Sequence, residues 1–286
     1  MSNLKIICDS LADIPEYFIK KYDVEVVPLT ISIDGIEYKQ GVDLSVDEFY
    51  KKIRMTSSIP KTSQATYTQF KEVFEKYIDE GKSILYISAS SKATGTCQSA
   101  LMAKNDLDGD IHIFDSYNLS FGCGCQVLTA CEMREDGYSI EEIIEKLEFV
   151  RDNVVVVFAV DSLDYLRKGG RLSSSKAIIG HMLSMKPIVI VEDGLVRNID
   201  TVRGKKKEIV RMIEIAKEST NGNIEDKRIA IGNGDNLEDM KKLEEIIINE
   251  YPMEKILKID IGAGIGSHAG PGTIGICIWD DKCDKM

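Results

Sequence analysis

Three short segments of this 286-residue chain combine hydroxyl side chains, free backbone amides and a histidine in a pattern suited to anion binding. The segments are residues 61–64 (KTSQ) with Thr62 and Ser63, residues 90–96 (SSKATGT) with Thr94 and Gly95, and residues 261–275 (IGAGIGSHAGPGTIG) with His268. Unpaired amides at a helix N-terminus carry partial positive charge, and hydroxyl groups add hydrogen-bond donors. Such a set can hold a carboxylate or a phosphate without a metal ion.

Each residue of this set also has a purely structural interpretation. Serine and threonine are common helix N-caps, and taken alone Thr62 or Thr94 fits capping better than ligand binding. A single histidine such as His268 is more often structural than functional. Asp13 precedes Ile-Pro and fits a helix cap, although it is close enough to Asp9 to form an acid pair. The chain contains no G-x-S-x-G or H-E-x-x-H motif, so catalysis has little support.

The glycine-rich segment also matches part of a dinucleotide-binding fingerprint. Gly264, Gly266 and Ala269 fit the spacing G-x-G-x-x-A, and glycine lets the backbone approach a ligand closely. That fingerprint must open a helix within a β-α-β unit. Gly270-Pro271-Gly272 interrupts any long helix after Gly266, so we exclude nucleotide binding here.

Composition narrows the function classes. The 36 basic and 47 acidic residues give a net charge of −11, which disfavours nucleic acid as a partner. No apolar run reaches the ~20 residues of a membrane span, and we see no signal peptide. The seven cysteines have no paired C-x-x-C spacing, and Cys123-x-Cys125 lacks further ligands. We therefore expect reduced thiols, no metal and no cofactor in a cytoplasmic protein.

Hydrophobic patterning predicts an α/β protein of two domains. Strands alternate with helices in the first half, as in a parallel sheet covered on both faces. We predict a three-layer α/β/α domain over residues 1–155 and a two-layer α/β domain with a mixed sheet over residues 156–286. Within these, residues 24–33 read as one strand, residues 60–64 as a loop, and residues 261–275 as a loop after a strand.

Several local signals are stronger than the rest. Asp34-Gly35 and Asp193-Gly194 are typical of two-residue hairpin turns. Ser45 with Glu48 and Ser139 with Glu142 have the spacing of a capping box, which marks a helix start.

A series of motifs in order along nearly the whole chain resembles the DegV family of bacterial fatty-acid-binding proteins. The motifs are DSLADIP (9–15), VPL (27–29), TSQ (62–64), TGT-x-QSA (94–100), DYLRKGGRLS (164–173), KP (186–187) and HAGPG (268–272). One such motif alone is a weak signal, but seven in order are highly specific. The resemblance implies two α/β domains with a long acyl chain buried between or within them.

The resemblance also implies a role and a site. The protein would be a lipid carrier without catalytic machinery that presents its fatty acid to a partner kinase, which resembles a dihydroxyacetone kinase. Residues expected to bind the carboxylate are Thr62, Ser63, Thr94, Gly95 and His268. The chain departs from the family pattern at Ala65, where proline is usual, and at Ala93 and Cys97, where larger residues are usual; this could change the pocket shape.

Two arginines are predicted near the cleft or on a face that contacts the partner. Arg171, in KGGR, and Arg203, in VRG, have planar guanidinium groups that suit oxyanion recognition. The alternative for Arg171 is a helix cap or an ion pair with an acid of its own domain. Two other functions stay open at this point: an enzyme acting on a small carboxylated or phosphorylated metabolite, and a protein-interaction module without an ordered ligand.

Overall fold

The computed structural model of the protein describes residues 3–173, 185–220, 224, 226–249 and 256–280. The strands in these ranges are β1 (Leu4–Asp9), β2 (Glu25–Val27), β3 (Thr30–Ile33), β4 (Ile36–Lys39), β5 (Lys61–Ser63), β6 (Ser83–Ser88), β7 (Ile111–Asp115), β8 (Val155–Ala159), β9 (Met185–Glu192), β10 (Leu195–Arg203), β11 (Arg228–Gly234), β12 (Ile256–Asp260) and β13 (Thr273–Trp279). The helices are α1 (Glu16–Lys21), α2 (Val46–Met55), α3 (Tyr67–Asp79), α4 (Thr96–Asn105), α5 (Phe121–Glu135), α6 (Ile140–Asn153), α7 (Asp164–Lys168), α8 (Lys205–Glu218), α9 (Leu237–Ile247) and α10 (Ala263–Ala269).

A parallel four-stranded sheet forms the N-terminal core, in the strand order β2-β1-β6-β7. Every residue of β1 is buried, as expected for a continuous apolar strand inside a parallel sheet. Tyr86 on β6 packs against Phe70 and Phe74 of α3 on one face. Helix α5 packs on β1 and β6 and is itself covered by α6. The three-layer arrangement predicted for this half is confirmed.

A separate mixed sheet contains the later strands, in the order β10-β9-β8-β13-β11-β12. Only β11 and β12 run parallel in it. Side chains alternate between its faces, so Val157 and Ile276 pack under α8 and α9, whereas Phe158 and Cys277 join the core of the N-terminal half. The face of the mixed sheet that carries Phe158 and Cys277 is covered by helix α5, which contacts β8 and β13. The mixed α/β class is confirmed.

A third, small sheet was not predicted. Its order is β4-β3-β5, and both pairings are antiparallel. The stretch 24–33, predicted as one strand, divides at Pro28 into β2 and β3, because proline cannot donate a ladder hydrogen bond. The segment predicted as a loop at 60–64 contains β5, where Thr62 pairs with Ile31.

The two predicted hairpin turns and the two predicted capping boxes are confirmed. Asp34 and Gly35 have φ values of 51° and 82° and close the β3–β4 hairpin, and Asp193-Gly194 closes β9–β10. Ser45 and Ser139 form complete capping boxes at the starts of α2 and α6.

The glycine-rich segment 261–275, predicted as a loop, contains helix α10 and the start of β13. Helix α10 ends where Gly270 adopts a φ of 82°, immediately before Pro271. A Cβ on Gly264 would lie 2.5 Å from Leu11 Cδ2, and one on Gly266 would lie 2.7 Å from Phe49 Cε1. These glycines therefore let α10 pack closely against neighbouring elements. Their spacing is explained by this packing and not by nucleotide binding.

Asp13 does not cap α1, the helix that follows it, contrary to one prediction from the sequence. It is buried with a φ of 48°, and its two carboxylate oxygens accept hydrogen bonds from the Gly262 amide (3.0 Å) and the Ser120 hydroxyl (2.6 Å). Gln40 Oε1 accepts from the Gly264 amide at 2.8 Å. Asp13 and Gln40 together attach the start of α10 to the N-terminal half.

Stability should fall as the pH rises from about 4 to about 7 because of this buried carboxyl group. Burial raises the pKa of Asp13 to about 7, although its hydrogen bonds from Ser120 and Gly262 act in the opposite direction. The folded pKa lies above the unfolded one, so the stabilisation is present at low pH and is lost as the pH rises through 7. Between pH 6 and pH 8 the wild type should lose about 1.4 kcal/mol more than Asp13→Asn, as measured by urea unfolding. An equal loss in both proteins would contradict this assignment.

We propose that residues 1–155 and 156–286 form two domains. The strands of the parallel sheet all precede residue 116, and those of the mixed sheet begin at Val155. Both observations support a boundary near this point. No helix among the described residues combines the length and the apolar character that a membrane crossing requires.

Candidate functional site

A cavity of about 360 Å³ lies between the C-terminal edge of the parallel sheet and the inner face of the mixed sheet. This edge of a parallel sheet is a common place for ligands, and the volume is within the range of small-molecule sites. Its apolar wall includes Leu11, Leu29, Leu119, Phe158, Val160, Leu166, Val189, Val196 and Ile265. Its polar groups come from Thr62, Ser63, Gln64, Thr94, Gly95, Arg171 and His268.

Thr62 and His268 are joined by a hydrogen bond of 2.8 Å between Oγ1 and Nε2. The other ring nitrogen, Nδ1, is buried and has no hydrogen-bond partner among the described residues, because the ring packs against Gly169. A buried N–H without a partner costs more than a buried lone pair, so we assign the proton to Nε2. His268 then donates to Thr62, and the Thr62 hydroxyl keeps its own proton for a ligand.

His268 is neutral near physiological pH. Burial lowers its pKa to about 4, and the positive charge of Arg171 acts in the same direction. A neutral imidazole can fix the orientation of Thr62 but cannot itself supply the charge that would balance an anion. That charge must come from another residue.

Arg171 supplies a cation at the cavity wall. Its Nη1 donates to the Gly169 carbonyl at 2.7 Å and its Nε donates to the Ala93 carbonyl at 3.2 Å. The predicted alternative of an ion pair with an acid is not seen among the described contacts. Two neutral carbonyls hold the guanidinium in place and leave its charge available in the cavity. Arg203, by contrast, is exposed at the end of β10 and does not line the cavity.

Thr94 and Gly95 stand at the start of α4. Gly95 is the N-cap and has no side chain, and Thr94 Oγ1 accepts from the Thr96 amide at 3.3 Å and bonds the Thr96 hydroxyl at 2.9 Å. Thr94 and Gly95 line the cavity immediately before the first turn of the helix. Gln64, which was not predicted, packs its amide over Gly95 and donates to Ser99 Oγ at 2.9 Å. Ser63 is exposed beside it.

The capping explanation for Thr62 is wrong. Thr62 lies in the middle of β5, and its hydroxyl bonds His268, which is 206 residues away in the sequence. No local signal in the sequence could have found this pair. The apolar wall also escaped prediction, because it comes from three strands of the mixed sheet, from helices α7 and α10, and from segments that follow β1, β2, β7 and β8.

Metal ligands are not found in the described part of the chain, where no group of three or more His, Cys, Asp or Glu side chains is arranged to hold an ion. Cys123 and Cys125 are buried within α5, and burial raises the pKa of both thiols. Cys283 lies outside the described residues.

The chain is similar to proteins of one known family over almost its whole length. A family model described as "Uncharacterised protein, DegV family" matches residues 3–281. The chain belongs to the DegV family. A DegV domain-containing protein of Caldanaerobacter subterraneus is 39% identical over 277 residues, which cover 96% of this chain and 98% of that one.

Solved DegV structures have the same fold. A DegV lipid-binding protein from Thermotoga maritima matches with a TM-score of 0.89 and 31% identity, covering 98% of both chains. A DegV family protein from Thermus thermophilus, described for its fatty-acid binding, matches with a TM-score of 0.90 and 30% identity. It covers 98% of this chain and 100% of that one.

The departures of this chain from the usual DegV pattern fall in different environments. Ala93 lines the cavity, as expected for a residue that affects pocket shape. Cys97 does not line it: the thiol is buried, and burial raises its pKa to about 11. Ala65 is fully buried in the core, between β5 and α3.

Proposed function

We propose that the protein binds a long-chain fatty acid in this cavity, with the carboxylate at its polar groups and the alkyl chain along its apolar wall. One observation carries the proposal: a largely apolar cavity whose polar lining includes a cation, three hydroxyls and the N-cap glycine of a helix. The lipid-binding and fatty-acid-binding descriptions of the Thermotoga and Thermus relatives support it.

Burial of the alkyl chain supplies most of the affinity. Each buried methylene contributes about 0.8 kcal/mol, so a chain of 14 methylenes would contribute roughly 11 kcal/mol before the cost of ordering the ligand. The polar groups then need only orient the carboxylate and replace part of its hydration.

We infer the following arrangement for the carboxylate. His268 donates to Thr62, whose hydroxyl proton is then free to point at a carboxylate oxygen. Thr94, Ser63 and the Gly95 amide add neutral donors, and Arg171 balances the negative charge. Hydrogen bonds to a charged acceptor are each worth about 1.5–3 kcal/mol, more than neutral ones.

Native mass spectrometry of protein purified from cells tests this function. The wild type should retain a fatty acid of roughly C14–C18, whereas the variant with Thr62→Ala and Thr94→Ala should retain at least about tenfold less, because two neutral donors are lost. Circular dichroism would verify that the variant is folded. Wild-type protein that carries no lipid, and that takes up none when incubated with palmitate, would refute the proposal.

We further propose that the bound acid is presented to a separate fatty acid kinase of the dihydroxyacetone-kinase type, in the cytoplasm. Residues 264–269, which match part of a nucleotide-binding fingerprint, belong to the packed helix α10. This supports the proposal that ATP binds to the partner. Exposed Arg203 is the residue we assign to the docking face. On this proposal the protein itself is a carrier, and ATP and metal bind to the partner.

A further inference from the structure

Gly275 on β13 lies directly opposite Phe158 on β8 in an antiparallel pair, so both positions face the same side of the mixed sheet. The backbone of Gly275 does not require glycine, since it is not among the positive-φ residues. The space that a side chain would take is filled instead. A Cβ at Gly275 would lie 2.6 Å from Phe158 Cδ1 and 2.9 Å from Cε1. The phenyl ring therefore lies over the glycine.

The ring of Phe158 is also part of the cavity wall. It is one of the apolar residues of that wall, together with Val160 of the same segment and Val189 of β9. The sheet closes the space behind the ring. A ring displaced from β13 would turn toward Val189, its partner on β9 and another cavity residue, or directly into the cavity.

We propose that Gly275 determines the length of the alkyl chain that the cavity accepts, because it lets the Phe158 ring lie flat against the sheet. This inference rests on the proposed function. An alanine at position 275 would displace the ring into space that the far methylenes of a long chain need. A short chain, which fills only the part nearer the polar groups, would keep its contacts.

Binding of laurate and stearate to delipidated protein tests the inference. Gly275→Ala should weaken stearate binding by about tenfold, equivalent to the loss of two buried methylenes, and leave laurate binding within about twofold. In a Phe158→Ala background the same glycine change should not alter the stearate-to-laurate ratio, because no ring remains to be displaced. A general loss of stability would weaken the binding of both acids, so it would not change the ratio of stearate to laurate affinity within a variant.

Gly232→Ala is the matched control. Gly232 pairs with Gly275 on the neighbouring strand, but its added methyl would press on Ile259 at 3.0 Å and it does not line the cavity. The ratio should be unchanged in this variant. If the wild type binds both acids and Gly275→Ala weakens both equally, the inference is overturned while the function stands. A wild type that binds neither acid overturns both.

Discussion

Fatty-acid affinity should fall by more than about 100-fold when Ala93 is replaced by tryptophan. Ala93 is half-buried at the cavity wall, and its carbonyl is held by Arg171, so a large side chain added there enters the cavity beside the polar groups. An indole that displaces four methylenes of the ligand would cost about 3 kcal/mol, which corresponds to roughly a 200-fold loss. Titration of delipidated protein with palmitate, followed by calorimetry, measures the effect.

Gln98→Trp provides the matched control. Gln98 is exposed on α4, five residues from Ala93, and does not line the cavity. The same side chain there should leave palmitate affinity within about twofold. Equal affinity of the Ala93→Trp variant and the wild type would show that the alkyl chain does not occupy this cavity.

The second large effect is expected at Arg171. Replacement by methionine keeps much of the side-chain volume but removes the cation that we propose balances the carboxylate. Truncating one partner of a buried charge pair typically costs about 2–5 kcal/mol, so palmitate binding should weaken by roughly 30-fold or more. Hexadecanol, which has no charge, should bind the wild type and the Arg171→Met variant about equally.

Arg203→Met separates the role of the cavity from that of the proposed docking face. Since Arg203 is exposed and outside the cavity, this variant should bind palmitate normally but slow acyl-phosphate formation when mixed with a fatty acid kinase and ATP. If Arg171→Met binds palmitate as tightly as the wild type, the carboxylate lies elsewhere and Arg171 serves only to hold the Ala93 and Gly169 carbonyls.

The ends of helices and strands could be predicted where hydrogen bonds between residues close in the sequence determine them. The capping boxes at Ser45 and Ser139 and the turn at Asp34-Gly35 depend on residues within three positions of each other. The two sheet types were predictable for a similar reason, since the periodicity of apolar residues reports which faces of a strand are buried.

Elements that depend on distant partners were not predictable. Lys61–Ser63 has no strand pattern of its own and becomes β5 only because β3 offers it an antiparallel edge. Helix α10 is rich in glycine, which disfavours a helix, yet it is stabilised by Asp13 and Gln40 from the other half of the chain. Tertiary hydrogen bonds and close packing outweigh local propensity in both cases.

The chemistry of the site divides in the same way. The sequence by itself determined which groups are available, since hydroxyls at Thr62 and Thr94, the imidazole of His268 and the charge of Arg171 follow from residue type. Only the tertiary structure decided their roles: the ring bonds Thr62, and burial makes it neutral. Hydrogen bonding and desolvation depend on distances across the fold. Thr62 on β5 and His268 on α10 meet only in the folded protein, where both line one cavity.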